Sequence, residues 1–278
     1  MQQHHSVCSF TSSDSWVILS EIEQSIKRKI EAVGTPLKDW DIQINYGIKT
    51  GYNDAFIITT EKRDEILSNC ADDEERKRTA ELIRPILRGR DIKRYGYDWA
   101  GLYLIATFPS RHYDIEKYPA VKNYLLSFGI ERLEQTGKIH IVNGEKIKAR
   151  KKTNNKWFET QDSISYWDDF NKPKLFYADI SQQLCFAYCE KTMFCNNTTY
   201  FISCRDEVTL RYLQMYLNSS IIDWYYRTLS VQLGTAAVRM FSIYVLRIPI
   251  PSDKNNNIYD AYHLSKNEIE FIESLQIQ

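Results

Sequence analysis

The sequence predicts an α+β fold in which a curved mixed or antiparallel β-sheet forms the core and helices pack against it. Two observations favour this class. Apolar residues recur every three or four positions near both ends of the chain, and residues 174–203 form a β-like stretch rich in aromatic and β-branched residues. The chain has neither an internal repeat nor a clean linker, so we expect one compact body rather than two domains.

The first half of the chain is predicted to alternate helices and strands. The apolar spacing from Trp16 to Val33 predicts a helix that begins after Ser13 or Asp14 and ends at Gly34. The elements predicted next are strands at 42–46 and 55–58, an acidic helix or loop at 61–75, a strand at 102–107 and a helix at 115–135.

The second half is predicted to end in helices. Apolar spacing indicates a helix from Glu207 to Tyr226, and a final strand is expected from Ser242 to Ile250, followed by a short helix at 264–275. Residues 1–13 lack periodicity and are interpreted as a disordered or frayed N-terminus. Residues 252–278 are interpreted as a C-terminal helical extension.

The composition excludes several classes of protein. The 36 basic and 36 acidic residues cancel and 43% of the residues are apolar, which excludes a disordered chain and a uniformly basic DNA-packaging protein. No apolar run reaches the roughly 18 residues of a membrane helix, and no N-terminal export signal is present, so we expect a soluble, cytoplasmic protein. Six cysteines are too few for a disulfide framework and are read as reduced thiols.

The sequence lacks the motif of one known DNA-modifying chemistry. Amino-group methyltransferases need Asn, Asp or Ser followed by two prolines and an aromatic residue, and none of the seven prolines here follows such a residue or another proline. We therefore expect no catalytic residue, no bound cofactor and no metal ligand in this chain. Cys185, Cys189, Cys195 and Cys204 lack the paired spacing of a zinc site, and the aromatic residues between them favour packed strands.

Two basic stretches stand out in a chain of zero net charge. Five bases lie between Arg84 and Arg94 against Asp91 alone, and seven lie between Lys138 and Lys156 against Glu145 alone. Aromatic residues adjoin both stretches. Lysine and arginine neutralise phosphate, and aromatic neighbours can contact sugars and bases. The pattern is compatible with a nucleic-acid surface and also with a solvated charged face.

Several motifs occur in order between about residues 14 and 251. They are the helix through Trp16, INYGIKTGYNDAFI at 44–57, RPILRGRDIKRY at 84–95, YPAVK at 118–122, WFE at 157–159, KPK at 172–174, NNTTYF at 196–201 and IPIP at 248–251. Together they resemble the TaqI-like C-terminal specificity domain, which would then occupy residues 14–251.

The resemblance implies that the chain recognises double-stranded DNA as the target-recognition domain of a type II, IIG-like restriction enzyme or of an adenine-N6 DNA methyltransferase. The methyltransferase module, with its S-adenosylmethionine, and any Mg-dependent nuclease module would be partners in cis or in trans. Only about thirteen residues precede the matched region, so we expect a fragment, a truncated product or a separate specificity subunit.

The residues expected to contact DNA are side chains of a glycine-flanked loop, of the two basic stretches and of a region near the last strand. They are Lys49, Thr50, Asn53, Arg88, Arg90, Lys93, Arg94, Lys148, Arg150, Lys151, Lys152, Lys156, Trp157 and Arg239. Contacts to phosphates would fix the register, and side chains on the β-rich face would read bases in the major groove.

Two alternatives remain open from the sequence. In the first, Asp73, Asp91 and Lys93 form a metal-dependent endonuclease site, although so short a pattern occurs by chance in many charged chains. In the second, the aromatic helix at 210–226 docks a protein partner and the basic stretches are merely solvated.

Overall fold

The computed structural model describes residues 19–230, 232–233, 237–253 and 257–275. Its helices are α1 (Glu21–Val33), α2 (Asn53–Phe56), α3 (Thr60–Ser68), α4 (Asp73–Leu82), α5 (Pro119–Leu126), α6 (Ile130–Leu133), α7 (Glu207–Leu217), α8 (Ser220–Leu229), α9 (Ser242–Val245), α10 (Ile258–Ala261) and α11 (Lys266–Ser274). Its strands are β1 (Thr35–Pro36), β2 (Ile42–Tyr46), β3 (Ile57–Thr59), β4 (Ile83–Leu87), β5 (Leu102–Ile105), β6 (Ile139–Val142), β7 (Glu145–Lys148), β8 (Lys174–Ala178), β9 (Ile180–Ser181), β10 (Ala187–Cys189), β11 (Phe194–Cys195), β12 (Thr199–Cys204), β13 (Gln232–Leu233), β14 (Ala237–Arg239) and β15 (Pro249–Ile250).

Two four-stranded sheets carry most of the strand pairing among these residues. The first has the order β10-β8-β12-β2, and all its neighbouring strands are antiparallel. The second has the order β11-β4-β5-β3 and is mixed, because β11 and β4 run parallel. Smaller sheets are formed by β6 with β7, by β13, β14 and β9, and by β1 with β15. The predicted α+β class, with mixed and antiparallel sheets and packed helices, is confirmed.

The first sheet separates two hydrophobic clusters. Side chains alternate along each strand, so that Phe176 and Phe201 belong to one cluster while Leu175, Tyr177 and Ile202 belong to the other. The first cluster also contains the second sheet, and the second contains helices α1, α7 and α8. Both faces of the sheet are therefore buried, which explains why β8 and β12 carry nearly continuous apolar sequences.

The first predicted helix and its C-terminus are confirmed, but its predicted start is wrong, because Leu19 and Ser20 precede the helix and Ser20 is its N-cap. α1 begins after Ser20, whose N–H donates to the Glu23 carboxylate (2.7 Å), and it ends at Gly34, whose N–H donates to Ile30. The predicted N-caps Ser13 and Asp14, like the predicted frayed segment 1–13, lie outside the described residues.

Two predicted elements are broken by local signals. The predicted strand at 55–58 starts as the short helix α2, and strand β3 begins only at Ile57. The predicted helix at 115–135 is divided, because Pro119 occupies the first turn of α5 and Gly129 has a φ of +83° before α6. The strand at 102–107 and the β-like stretch at 174–203 are confirmed.

The C-terminal predictions also need two corrections. The helix predicted from Glu207 to Tyr226 consists of α7 and α8, and Ser219 caps the second by accepting from Ile222. The strand predicted from Ser242 begins as the helical turn α9, so only β15 is extended. The short terminal helix is confirmed as α11.

The C-terminal helix α11 is attached to the first helix of the chain. The Glu268 carboxylate accepts hydrogen bonds from Lys29 and Ser25 on α1, each at 2.7 Å. Burial raises the pKa of this carboxyl, but hydrogen bonds from Lys29, Ser265 and Ser25 outweigh burial and lower the pKa to about 2.

No helix among the described residues has the length and apolar character needed to cross a bilayer.

Candidate nucleic-acid interface

Three of the separated sequence motifs meet at one turn. The Gly47 N–H donates to the Thr199 carbonyl (2.8 Å), and the Gly89 N–H donates to the Thr198 hydroxyl (3.0 Å). A Cβ at Gly47 would lie 1.9 Å from the Asn196 carbonyl oxygen, and one at Gly89 would lie 2.8 Å from the Thr198 carbonyl oxygen. Glycine is therefore required at both positions for this close approach of backbones.

The Asn196 side chain holds this turn in shape. Its Oδ1 accepts from the Thr198 hydroxyl (2.7 Å) and from the Thr198 N–H (3.2 Å). The backbone N–H of Asn196 donates to the Leu87 carbonyl (2.9 Å). An asparagine that bonds to the backbone two residues ahead forms an Asx turn. Asn196 is buried and is a turn residue, whereas Asn197 is exposed.

A cleft of about 700 Å³ opens beside this turn. Its walls come from α2, β9, the β4 end and the 196–198 turn. The residues that line it are Asn53, Asp54, Ile57, Arg88, Gly89, Arg90, Leu102, Ala178, Asp179, Ile180, Asn196 and Thr198. The structure thus brings together three of the predicted contact residues, which are Asn53, Arg88 and Arg90.

The two arginines in this cleft have different surroundings. Arg88 is held by Asp91 through two side-chain contacts, Nε to Oδ2 (3.1 Å) and Nη2 to Oδ1 (2.8 Å), and the same carboxylate accepts from the Arg88 N–H. Hydrogen bonding to Asp91 raises the pKa of the Arg88 guanidinium. Arg90 is exposed at the cleft. Arg88 is therefore fixed in place, and Arg90 presents its guanidinium to solvent.

Arg239 does not line the cleft, but it pairs with a residue that does. Strand β14 pairs with β9 so that Arg239 stands opposite Ile180, and the Met240 N–H donates to the Asp179 carbonyl (2.9 Å). The Arg239 guanidinium lies 5.7 Å from the centre of the Phe241 ring. The neighbouring loop glycine, Gly234, lies outside the described residues.

The loop at 49–53 connects the cleft to the second basic stretch. The Thr50 hydroxyl donates to Asn53 Oδ1 (2.7 Å) and accepts from the Tyr52 N–H (3.1 Å), and the Lys49 carbonyl accepts from the Gln161 N–H (3.0 Å). Thr50 is buried and its side chain shapes the loop, so its contact with DNA stays a prediction. Lys49 and Asn53 are exposed.

Arg150 is a structural residue rather than a surface cation. Its guanidinium donates to the carbonyl oxygens of Leu133 (2.7 Å), Thr50 and Glu159 (2.8 Å each) and Trp157 (2.6 Å). Burial lowers the pKa of Arg150 to about 10. All three guanidinium nitrogens are bonded to the backbone inside the fold, so Arg150 does not present its charge at the surface and its contact with DNA stays a prediction.

The other predicted contacts are exposed or half-buried and do not line the cleft. Lys148, Lys151, Lys152 and Lys156 are exposed, while Trp157 is half-buried edge-on against Phe158. In the first stretch, Lys93 Nζ donates to the Arg90 carbonyl (3.3 Å). Arg94 donates to the Asn218 carbonyl at the α7–α8 junction and lies over the Tyr95 ring. Each basic stretch therefore includes some side chains that are bonded to the protein and others that are exposed to solvent.

The family model for the TaqI-like C-terminal specificity domain matches residues 84–250, which is more than half of the chain. The chain belongs to this family. The Type II methyltransferase M.PaeR7I of Pseudomonas aeruginosa is similar to it, at 23% identity over 241 residues that make up 86% of this chain and 37% of that protein.

Two solved structures are similar to this specificity domain. The type IIG restriction endonuclease BpuSI matches with a TM-score of 0.52 and 12% identity, over 92% of this chain and 27% of BpuSI. The type IIL restriction-modification enzyme MmeI, solved in complex with DNA, matches with a TM-score of 0.48 and 14% identity, over 77% of this chain and 25% of MmeI. The chain thus spans between a quarter and two fifths of the length of these relatives.

The structure of the specificity domain does not support the two alternatives. The Asp91 carboxylate is occupied by Arg88, and no group of three or more His, Cys, Asp or Glu residues in the described part of the chain could hold a metal ion. The apolar face of α7 and α8, including Leu213 and Trp224, packs inside the second cluster. The four clustered cysteines lie in or beside strands, and burial raises the pKa of the Cys195 thiol.

Sequence reasoning missed several residues of the cleft in this domain. Asp54, Asp179, Ile180 and Thr198 line it, but none belongs to a charge run. Asp179 sits between β8 and β9, and burial raises the pKa of its carboxyl. Long-range backbone contacts bring these segments together, such as Gly89 to Thr198 and the Asp179 N–H to the Thr198 carbonyl (3.0 Å), and no local pattern signals contacts between residues so distant in sequence.

Proposed function

We propose that this chain recognises a specific sequence in double-stranded DNA as the specificity domain of a type II, IIG-like restriction-modification enzyme or adenine-N6 DNA methyltransferase. The observation that carries the proposal is the cleft at the meeting point of the family motifs, where Asn53 and Arg90 present donors. Arginine pairs bidentately with guanine, and asparagine with adenine, in the major groove.

The two arginines of the cleft would make different contacts with DNA. Arg88 is oriented by Asp91, whose carboxylate offsets its charge, and it would donate its remaining guanidinium N–H groups to a nearby phosphate. Arg90 is exposed and would pair with a guanine edge in the major groove. Lys49, Lys93, Arg94, Lys148, Lys151, Lys152, Lys156, Trp157 and Arg239 are proposed as further contacts, most of them to the DNA backbone.

The catalytic steps would belong to other modules. The chain spans 37% of M.PaeR7I, which is named as a methyltransferase, and 27% of BpuSI, which is named as a restriction endonuclease. We propose that a methyltransferase module, in cis or in trans, binds S-adenosylmethionine and flips the adenine. A nuclease module would be an additional partner, and the cytoplasm would be the site of action.

Duplex binding at several salt concentrations tests the proposal. We expect the purified chain to bind mixed-sequence duplexes with an affinity that falls as salt rises, by a slope of about 0.9 per neutralised phosphate. Arg90→Ala should weaken binding, while Arg28→Ala, which removes an exposed arginine from α1, should leave it unchanged. Binding that is absent or independent of salt would contradict the proposal.

A further inference from the structure

The two-stranded ribbon of β6 and β7 projects an unusual surface. Its strands are joined by Asn143 and Gly144, which have φ values of +52° and +86°, as a type I′ hairpin turn requires. Side chains alternate between its two faces. His140 and Ile147, which are paired across the strands, are half-buried on the inner face, and His140 contacts the Glu134 carboxylate at 2.5 Å.

The outer face combines apolar and cationic side chains. Ile139 stands opposite Lys148 and Ile141 stands opposite Lys146. Ile139 is 65% exposed and Ile141 is 73% exposed, which makes them the most exposed large apolar residues in the described part of the chain. Neither isoleucine belongs to the two hydrophobic clusters or to the side chains packed against them.

The base of the ribbon is firmly anchored. The Ala149 N–H donates to the Lys138 carbonyl (2.9 Å) and the Gly137 N–H donates to the Arg150 carbonyl (2.8 Å), which extends the ladder below the strands. The buried Arg150 guanidinium then ties this base to four carbonyl oxygens of the body. The ribbon is therefore a supported projection, and its outer face is held in one orientation.

Charge identifies the kind of partner. Glu145 is the sole acid between Lys138 and Lys156, and Lys138, Lys146, Lys148, Lys151 and Lys152 are exposed. A face that is both cationic and apolar fits the major groove of DNA. That groove is about 12 Å wide and admits a two-stranded ribbon, and its walls are phosphates while thymine methyl groups lie on its floor. The four residues of β6 span about 10 Å, which is less than the width of that groove.

We propose that this ribbon enters the major groove, where Ile139 and Ile141 contact thymine methyl groups while Lys146 and Lys148 contact the flanking phosphates. The inference rests on the proposed function and adds to it a second reading element, separate from the cleft at Arg90. The ribbon would contribute a preference for A·T pairs, since the thymine methyl group is the apolar feature of that groove.

Replacing thymine by deoxyuridine tests the methyl contact. We would measure binding of the full chain to a mixed duplex pool and to the same pool with every thymine replaced by deoxyuridine. The wild-type chain should lose about 15-fold in affinity, the effect of removing two methyl contacts of about 0.8 kcal/mol each. The double variant Ile139→Ser/Ile141→Ser should bind both pools equally. Ile243→Ser is the matched control, because Ile243 is 64% exposed on α9, and it should retain the wild-type difference.

The salt dependence of binding tests the phosphate contacts of the ribbon lysines separately. Lys146→Ala should reduce the dependence of log affinity on log salt by about 1, whereas Ile139→Ser should leave that slope unchanged. Lys38→Ala, at an exposed position near α1, is the control for charge removal.

The outcomes separate this inference from the proposed function. If the wild-type chain shows no salt-dependent binding to either pool, both fail. If it binds but does not distinguish thymine from deoxyuridine, or if the isoleucine double variant keeps the full difference, the ribbon inference alone is overturned. Loss of binding to a separately expressed methyltransferase module in the isoleucine variant, with DNA binding intact, would also overturn it and would assign the face to a protein partner.

Discussion

At the scale of single residues, neighbouring cations within each basic stretch have different surroundings. Arg88 is bound to a buried carboxylate while Arg90 is exposed, and Arg150 is buried while Lys151 is exposed. The sequence identifies all four as candidates, because a run of charges marks a cationic segment. It does not reveal which guanidinium turns inward, since that depends on carbonyl groups supplied by residues as distant as Thr50.

This difference predicts a large loss of stability for one substitution and almost none for its neighbour. Arg150→Ala should lower the free energy of unfolding by about 3 kcal/mol, because four buried carbonyl oxygens lose their donor. Lys151→Ala should change it by less than about 0.5 kcal/mol, as expected for an exposed side chain. Urea unfolding followed by circular dichroism measures both. Equal effects would contradict a structural role for Arg150.

At the scale of elements, the candidate site depends on strands that approach one another closely. Gly47 follows β2, Gly89 follows β4, and both lie against the turn that precedes β12. The two sheets are thereby held together at the edge where the cleft opens. A side chain at either glycine would separate these segments and alter the position of Arg90.

Alanine substitution tests this dependence. Gly47→Ala should destabilise the fold by more than about 2 kcal/mol and weaken DNA binding, because its Cβ would overlap the Asn196 carbonyl. Gly96→Ala is the matched control: a Cβ there has nothing within 4 Å, and stability should be nearly unchanged. Thermal unfolding and duplex binding are the measurements. A stable Gly47→Ala variant with normal binding would show that the close approach is dispensable.

The sequence predicts element types better than it predicts their ends. Apolar spacing correctly predicts a helix that ends at Val33 and helical structure across 207–226, because each region buries one face. It misses the break at Asn218, whose side chain bonds to both backbone groups of Phe186. It also misassigns Ser242–Val245, where β-branched and aromatic residues favour a strand but the chain forms a single helical turn. Such breaks are decided by tertiary contacts.

At the scale of the whole molecule, two hydrophobic clusters support a surface that carries both proposed reading elements. The cleft at Arg90 and the ribbon at 139–148 are linked by the loop at 49–53 and by Arg150. Family resemblance predicts the class of partner from the sequence. The assembly of the cleft is not predictable in this way, because it joins residues from α2, β9 and the turn at 196–198.

The most direct test of sequence-specific recognition is selection of duplexes from a random library. The wild-type chain should enrich a shared base string, and Arg90→Ala should enrich the same string with the preference lost at one G·C pair, since a bidentate arginine–guanine contact contributes about 1–3 kcal/mol of discrimination. Arg28→Ala should enrich the wild-type string. A library that shows no enrichment, or an Arg90→Ala variant that selects the unaltered string, would contradict the account.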